Sequence, residues 1–320
     1  MKKFWSIIMT MLLATGLLAA CGQDDNNEPQ TQGEQQTEVQ QETDELAAAF
    51  PATVTDALGR EVTLERAPEK IISLTPSNTE ILFALNLENE VVGVNDIDDY
   101  PPAVAEKERV GSMEYNVEKI VSLQPDIVFA HESSMFAVEP ALEQLEAAGV
   151  TVFVVKNAAT FEETYMTMEQ IGTLTGKVEE AEKMVESIKT KLADIQAKVE
   201  GQEEKSAFVV VGMTPDIYAV GQNTFMDEML KAINIKNVVE ADEWPMYSPE
   251  DFVASNPSTI IVTYAEDVDA VLNNPAFAEM DAVKNGAVYT VDGSMTSRQG
   301  PRIADGVESI AKAMYPEIFK

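Results

Sequence analysis

From Ile71 onward the chain alternates between short apolar runs and stripes at helical spacing. Ile71-Ile72-Ser73-Leu74 reads as a buried strand, because it is apolar without regular interruption. Ser77-Asn78-Thr79-Glu80 follows as a Ser-x-x-Glu capping box, and Ile81, Leu82 and Leu85 supply the apolar stripe of a helix. The turn between strand and helix contains no glycine, so its backbone is not built to approach a phosphate closely. The unit presents something else.

The same pattern returns once. Asn116-Val117-Glu118 opens "EKIVSLQPDIVFA", and Ser248-Pro249-Glu250 opens "EDFVASNPSTIIVTYA". In each, a capping residue stands two before a glutamate, a short helix follows, and a proline (Pro125, Pro257) breaks it before an apolar strand. Upstream, Lys70 and Lys205 each close a Glu-Lys pair that leads into a strand. Downstream, Gly149 in "AAGVTVFVV" answers Gly286 in "KNGAVYTV". Four landmarks in order at nearly one offset predict two similar α/β lobes with mainly parallel sheets.

Between the lobes, Val178, Ala181, Val185, Ile188, Leu192, Ile195 and Val199 form one apolar stripe, with Glu and Lys elsewhere. Gly176 and Gly201 bracket it. The expectation is one long bridging helix, a rod of roughly 36 Å, lying along both lobes and permitting only a small hinge motion. The fold class is α/β, with two lobes joined by that helix and a ligand cleft between them. The expected divisions are residues 50–160 for the first lobe, 161–204 for the bridging region and 205–320 for the second lobe.

The first 49 residues read differently. Lys2 and Lys3 precede an apolar run from Phe4 to Ala20, shorter than the roughly 20 residues of a spanning helix and ended by small residues. Residues 1–20 are therefore expected to be a cleaved signal peptide. Cys21 is the one cysteine of the chain, which leaves no partner for a disulfide within it. Residues 21–49 continue with Gln, Glu, Asp, Asn and Thr and almost nothing apolar, the composition of a disordered tether. The formal net charge is −33. So acidic a surface repels nucleic acid and anionic lipid heads.

Composition also thins the catalytic options. With one histidine, His131, the chain supplies neither a histidine cluster for hydrolytic metal chemistry nor a Ser-His-Asp set, and no Gly-x-Ser-x-Gly elbow occurs. The reading is a non-enzymatic receptor; an exported enzyme on the same lobes is the remote alternative.

The Leu18-Ala19-Ala20-Cys21 box resembles the bacterial lipoprotein signal, and "TDALGREVTL", "EKIISLTPSNTEILFALN", "DDYPP", "NVEKIVSLQPDIVFA", "WPMYSPED" and "GPRI" together resemble the substrate-binding proteins of ABC importers for vitamin B12, ferric siderophores and haem. The resemblance spans Ala52 to Pro316 in the family's order and is nearest the cobalamin-binding members. It implies a diacylglyceryl thioether on Cys21 and an extracytoplasmic protein anchored to the cell membrane. It further implies a monomer with no cofactor of its own, whose partner is an ABC permease dimer with its ATPase subunits. The ligand it implies is a small-molecule metal chelate: a cobalamin or other corrinoid first, a ferric siderophore or haem as alternatives.

The resemblance also carries roles. Glu118 and Glu250, at the second position of their helices, match paired glutamates that dock onto arginine pockets of the permease. Trp244-Pro245 and Arg298 match pocket residues of the B12-binding members, and the turn Pro76, Ser77, Asn78 faces the cleft; Glu80, by its spacing from Ser77 alone, is read as the helix cap. Met113, Tyr115, Tyr218 and Met295 are further cleft candidates. Two readings stand for His131, at a strand end: a hydrogen-bonding wall residue, or a ligand to the chelated metal through neutral imidazole.

Overall fold

The computed structural model describes residues 49–319 apart from Thr214. The signal peptide, Cys21 and all but the last residue of the tether lie outside the described residues.

In chain order, the hairpin β1 (Ala52–Thr55) and β2 (Glu61–Leu64) leads into β3 (Ile71–Ser73) and α1 (Pro76–Ala84). Next come β4 (Val91–Val94), β5 (Glu108–Arg109), α2 (Val117–Leu123), β6 (Ile127–His131), α3 (Met135–Ala147) and β7 (Val152–Val155). Two helices follow, α4 (Phe161–Thr175) and α5 (Val178–Val199). The second half runs β8 (Lys205–Gly212), β9 (Ile217–Ala219), α6 (Phe225–Ala232), β10 (Ile235–Asn237), β11 (Met246–Tyr247), α7 (Pro249–Ser255) and β12 (Ile260–Val262). It ends with α8 (Ala265–Leu272), α9 (Asp281–Lys284), β13 (Val288–Thr290), α10 (Gly293–Ser297) and α11 (Ile303–Met314).

The first lobe carries a parallel sheet in the order β5-β4-β3-β6-β7. The second carries β11-β9-β8-β12-β13, with β10 pairing the start of β8. β8, β12 and β13 are parallel and stand where β3, β6 and β7 stand in the first lobe. The repeat weakens after β8: a helix follows β3, whereas β8 turns back into the antiparallel β9.

Elsewhere it is kept in atomic detail. Asn116 Oδ1 accepts from the Lys119 N–H at 2.9 Å, and Ser248 Oγ accepts from the Asp251 N–H at 3.1 Å. Each helix buries one residue, Ile120 or Phe252, and ends on a left-handed residue, Gln124 or Asn256, just before its proline. Gly149 and Gly286 both take positive φ, 85° and 64°, which is why glycine stands at each turn into an edge strand.

Strand alternation decides where the cores sit. Ile71, Ile127, Phe129 and Phe153 point to one face and Ile72, Val128, Val152 and Val154 to the other; in the second sheet Val209 and Ile261 oppose Phe208, Val210, Ile260 and Val262. The outer faces form separate cores under each lobe's own helices. The inner faces belong to one continuous core that also takes in α4, α5 and α11. The long helix enters that core with Ala181, Val185, Ile188, Leu192, Ile195 and Val199. Val178, expected in the stripe, is 42% exposed because it opens the helix. Its 22 residues give roughly 33 Å. Gly176 does not open this rod as expected; it is the left-handed cap that ends α4, so the bridging region holds two helices. The pattern of α4 is less amphipathic, since it buries Thr164, Thr167 and Thr175 along with its apolar residues.

Candidate functional site: a cleft between the lobes

Parallel strands deliver their carboxyl ends to one edge of each sheet, and these edges face one another across a cavity of about 810 Å³. From the first lobe it takes Thr75–Ser77 after β3, Ile97 and Asp99 after β4, His131 and Ser133 at the end of β6, and Asn157 after β7. From the second it takes Trp244, the segment Thr263–Ala265 after β12, and the stretch after β13 that includes Asp292, Arg298 and Gln299.

Of the residues expected at the cleft, Pro76, Ser77, His131, Trp244 and Arg298 line this cavity. The remaining five are absent from its lining. Asn78 is fully buried and turns away, donating to the Ala130 carbonyl at 3.0 Å. Tyr115 lies behind the wall, where its hydroxyl donates to the Leu74 carbonyl and burial pushes its pKa up to about 12. Met113 is exposed on the loop before α2. Tyr218 sits on β9 opposite Met246, and Met295 lies in α10, whose backbone passes close to Gly306 of α11.

The capping box is a correction. α1 begins at Pro76 with Thr75 as its N-cap, and no side chain caps it. Pro76 already fills a position that has no N–H to satisfy, which moves the helix start ahead of Ser77. Ser77 Oγ, at the cavity edge, has no hydrogen-bond partner among the described residues. Glu80, 1% exposed, does not cap; it reaches across to the second lobe.

There its carboxylate meets two guanidiniums. Arg302 donates to both oxygens, from Nε at 2.8 Å and Nη2 at 2.6 Å, and Arg298 Nη1 donates to Oε1 at 2.9 Å. Arg298 Nη1 also reaches Asp99 at 2.6 Å, and Arg302 lies 4.1 Å from the centre of the Tyr100 ring. Charge-assisted, bidentate contacts of this kind are strong and directional. They pin the two lobes together beside the cavity, helped by Gln299 donating to Asn157 Oδ1 at 3.2 Å. Sequence reasoning missed Glu80, Asp99 and Arg302 in this role, although "DDYPP" and "GPRI" contain two of them. It also missed Ile97, Asn157, Thr263, Tyr264 and Gln299.

Trp244 is presented rather than packed. The Ala219 N–H donates to the Pro245 carbonyl and the Gly221 N–H to the Glu243 carbonyl, which clamps the backbone on either side of the indole. Gly221 permits the approach, since a Cβ there would lie 2.8 Å from Glu243 O. With Ile97 and Tyr264, also exposed, the indole gives the cavity apolar surface among its polar groups.

His131 is 3% exposed, and burial lowers its pKa to about 4. The imidazole is therefore neutral, with Nδ1 2.8 Å from Ser133 Oγ and 3.3 Å from the Ser133 nitrogen. Behind the floor, burial raises Asp98 to about 6 against the opposing pull of Thr79, Arg109 and Arg298. Glu118 and Glu250 lie apart from the cavity lining, exposed in the first turns of α2 and α7, and neither forms an ion pair among the described residues.

Two lobes that meet at their strand ends around a wide cavity, pinned beside it by a buried carboxylate, define a two-lobed solute receptor. The chain belongs to the periplasmic binding protein family, whose model matches residues 71–295. It is 43% identical, over the full length of both chains, to a Bacillus subtilis protein described as an uncharacterized ABC transporter substrate-binding lipoprotein. It is 32% identical to a vitamin B12-binding protein of Salmonella typhimurium over 67% of this chain and 79% of that protein. A crystal structure of a possible iron-binding, periplasmic solute-binding protein from Staphylococcus epidermidis superposes with a TM-score of 0.71 at 34% identity, covering 78% of this chain and all of that one. This chain is thus an ABC transporter substrate-binding protein and not an enzyme.

Proposed function

We propose that the protein captures a corrinoid outside the cell and hands it to an ABC permease. The observation that carries this is the cavity itself: about 810 Å³, lined by an exposed indole together with hydroxyl and amide groups from both lobes. That combination suits a bulky planar macrocycle with a polar periphery. The B12-binding relative supports the same ligand. Cys21, acylated after cleavage, would hold the receptor at the membrane, since two acyl chains anchor stably where one does not. Glu118 and Glu250, exposed at related helix starts, would meet cationic sockets on the permease. Carboxylates meeting such sockets make charge-assisted contacts.

A second reading, a ferric chelate, draws on the iron-binding description of the structural relative. The test is calorimetric titration of the purified protein with cyanocobalamin, a ferric trihydroxamate and haem. Saturable binding strongest for cyanocobalamin supports the corrinoid; stronger binding of the iron complex replaces it with the second reading.

A further inference from the structure

The charges around the cleft select among chelates. Among the described residues the cavity lining contains one cation, Arg298, and no lysine. That guanidinium is already held by Glu80 at 2.9 Å and Asp99 at 2.6 Å. The other arginine at the cleft, Arg302, is bound to Glu80 at 2.6 Å, and Lys156, next to the lining residue Asn157, is bound to Glu163 at 2.5 Å. Arg109 donates to the carbonyls of Asn95 and Asp98 and faces the Asp98 carboxylate behind the floor. His131 is neutral, its pKa lowered by burial. Asp292, exposed at the start of α10, adds a carboxylate to the second lobe's wall.

The local balance is therefore three carboxylates, Glu80, Asp99 and Asp292, against two guanidiniums. A chelate bearing free carboxylates or a net negative charge would leave water without gaining an unpaired cation in exchange. It would also meet the repulsion of Asp99 and Asp292. The other polar groups of the lining are uncharged, among them the amides of Asn157 and Gln299, which also bond each other, and the hydroxyls of Ser77, Ser133 and Thr263, beside the exposed Ile97, Trp244 and Tyr264. Uncharged donors and acceptors match amide or hydroxamate groups, which need no counter-charge.

From this geometry we infer that the receptor selects chelates with no net negative charge, uncharged or cationic, and rejects anionic ones of similar size. The inference rests on the chelate-receptor reading above and narrows its ligand class. Among the proposed ligands, corrinoids with amide side arms and trihydroxamate complexes pass this filter; haem with its two propionates and tricatecholate complexes do not.

The experiment titrates the purified protein with cyanocobalamin, a cationic ferric trihydroxamate, haem and an anionic ferric tricatecholate, at low and high salt. The expected result is binding of an uncharged or cationic chelate at least about tenfold tighter than either anion. Asp99→Asn and Asp292→Asn, each removing one exposed carboxylate, should then raise affinity for the anionic chelates by about threefold to tenfold at low salt. An anionic chelate that binds the unaltered protein as tightly as the best uncharged one overturns the charge filter and leaves the receptor reading intact. Binding of none of the four overturns the chelate-receptor reading, and the filter with it.

Discussion

Glu80 and Arg302 lie 222 residues apart in the chain, yet the guanidinium grips both oxygens of the carboxylate, at 2.8 and 2.6 Å. One residue belongs to the first helix of the first lobe and the other to the turn that opens the last helix of the second. With Arg298 as a further partner, Glu80 fastens one lobe to the other beside the ligand cavity. Both lobes also share one apolar core along the bridging helix. We expect closure around a ligand to be a small adjustment that keeps this contact.

Glu80→Gln tests the fastening. The replacement keeps the shape but leaves two largely buried guanidiniums without their shared charge, and breaking such a pair costs about 3 kcal/mol or more. Urea unfolding should show a midpoint lowered accordingly. An unchanged midpoint would mean that the desolvation of the Glu80 carboxylate already cancels its attraction to the two guanidiniums.

Two buried groups make opposite contributions to the pH dependence of stability. Asp98 has a folded pKa of about 6, raised by burial above its ordinary 3.8, so the folded state holds the extra proton and stability falls as pH rises through that window. His131 has a folded pKa of about 4, lowered by burial from 6.5, so the unfolded state holds the extra proton and stability falls as pH drops from 6.5 to 4. In the unaltered protein these slopes largely offset one another. In Asp98→Asn the histidine's slope is uncovered, and the variant's advantage over wild type should grow by about 2–3 kcal/mol between pH 4 and 6. Unfolding curves of both proteins across that range measure the difference; a constant difference sinks the assignment to Asp98.

Trp244→Ala addresses the cavity wall. The indole is 47% exposed and its backbone is held independently of the ring. Chelate affinity should drop by about 1–3 kcal/mol while the melting temperature stays close to wild type. Unchanged affinity with a lowered melting temperature would make the ring a packing residue only.

Delivery is tested at Glu118 and Glu250. The double change to arginine should leave chelate affinity near wild type, because neither residue lines the cavity. Whole-cell uptake should be nearly abolished, with each single change intermediate, since like charges would then meet at both sockets. Normal uptake by the double variant refutes the docking role. Parallel loss of affinity would move these glutamates into ligand binding.

Cys21→Ser tests the anchor. With the lipid attachment removed, the receptor should appear in the medium rather than in the membrane fraction, as read by blotting of both. Membrane retention with normal signal processing argues against lipidation.

Much of the architecture was legible because its determinants are local. A period of two or 3.6 residues records which face is buried. Asn116 and Ser248 cap within three residues, and Gly149 and Gly286 satisfy a backbone angle at their own positions. Such signals repeat when a lobe repeats, so the paired helices and most parallel strands could be read from one chain. The cleft was legible only in outline. Strand ends such as Thr75–Ser77 and His131 were identifiable as its edge, but periodicity does not say which side of a short turn faces the cavity. Asn78 therefore turned inward to the Ala130 carbonyl, while its neighbour Ser77 remained on the wall. Glu80 shows the limit most plainly. Its spacing from Ser77 suggested a cap, a contact worth a fraction of a charge-assisted pair. Its actual partners, Arg298 and Arg302, lie 218 and 222 residues away. The sequence by itself determined the elements, their repetition and the buried stripe of the bridge. Only the tertiary structure decided how the lobes were set against one another, and with that which charges met beside the ligand cavity and were neutralised there.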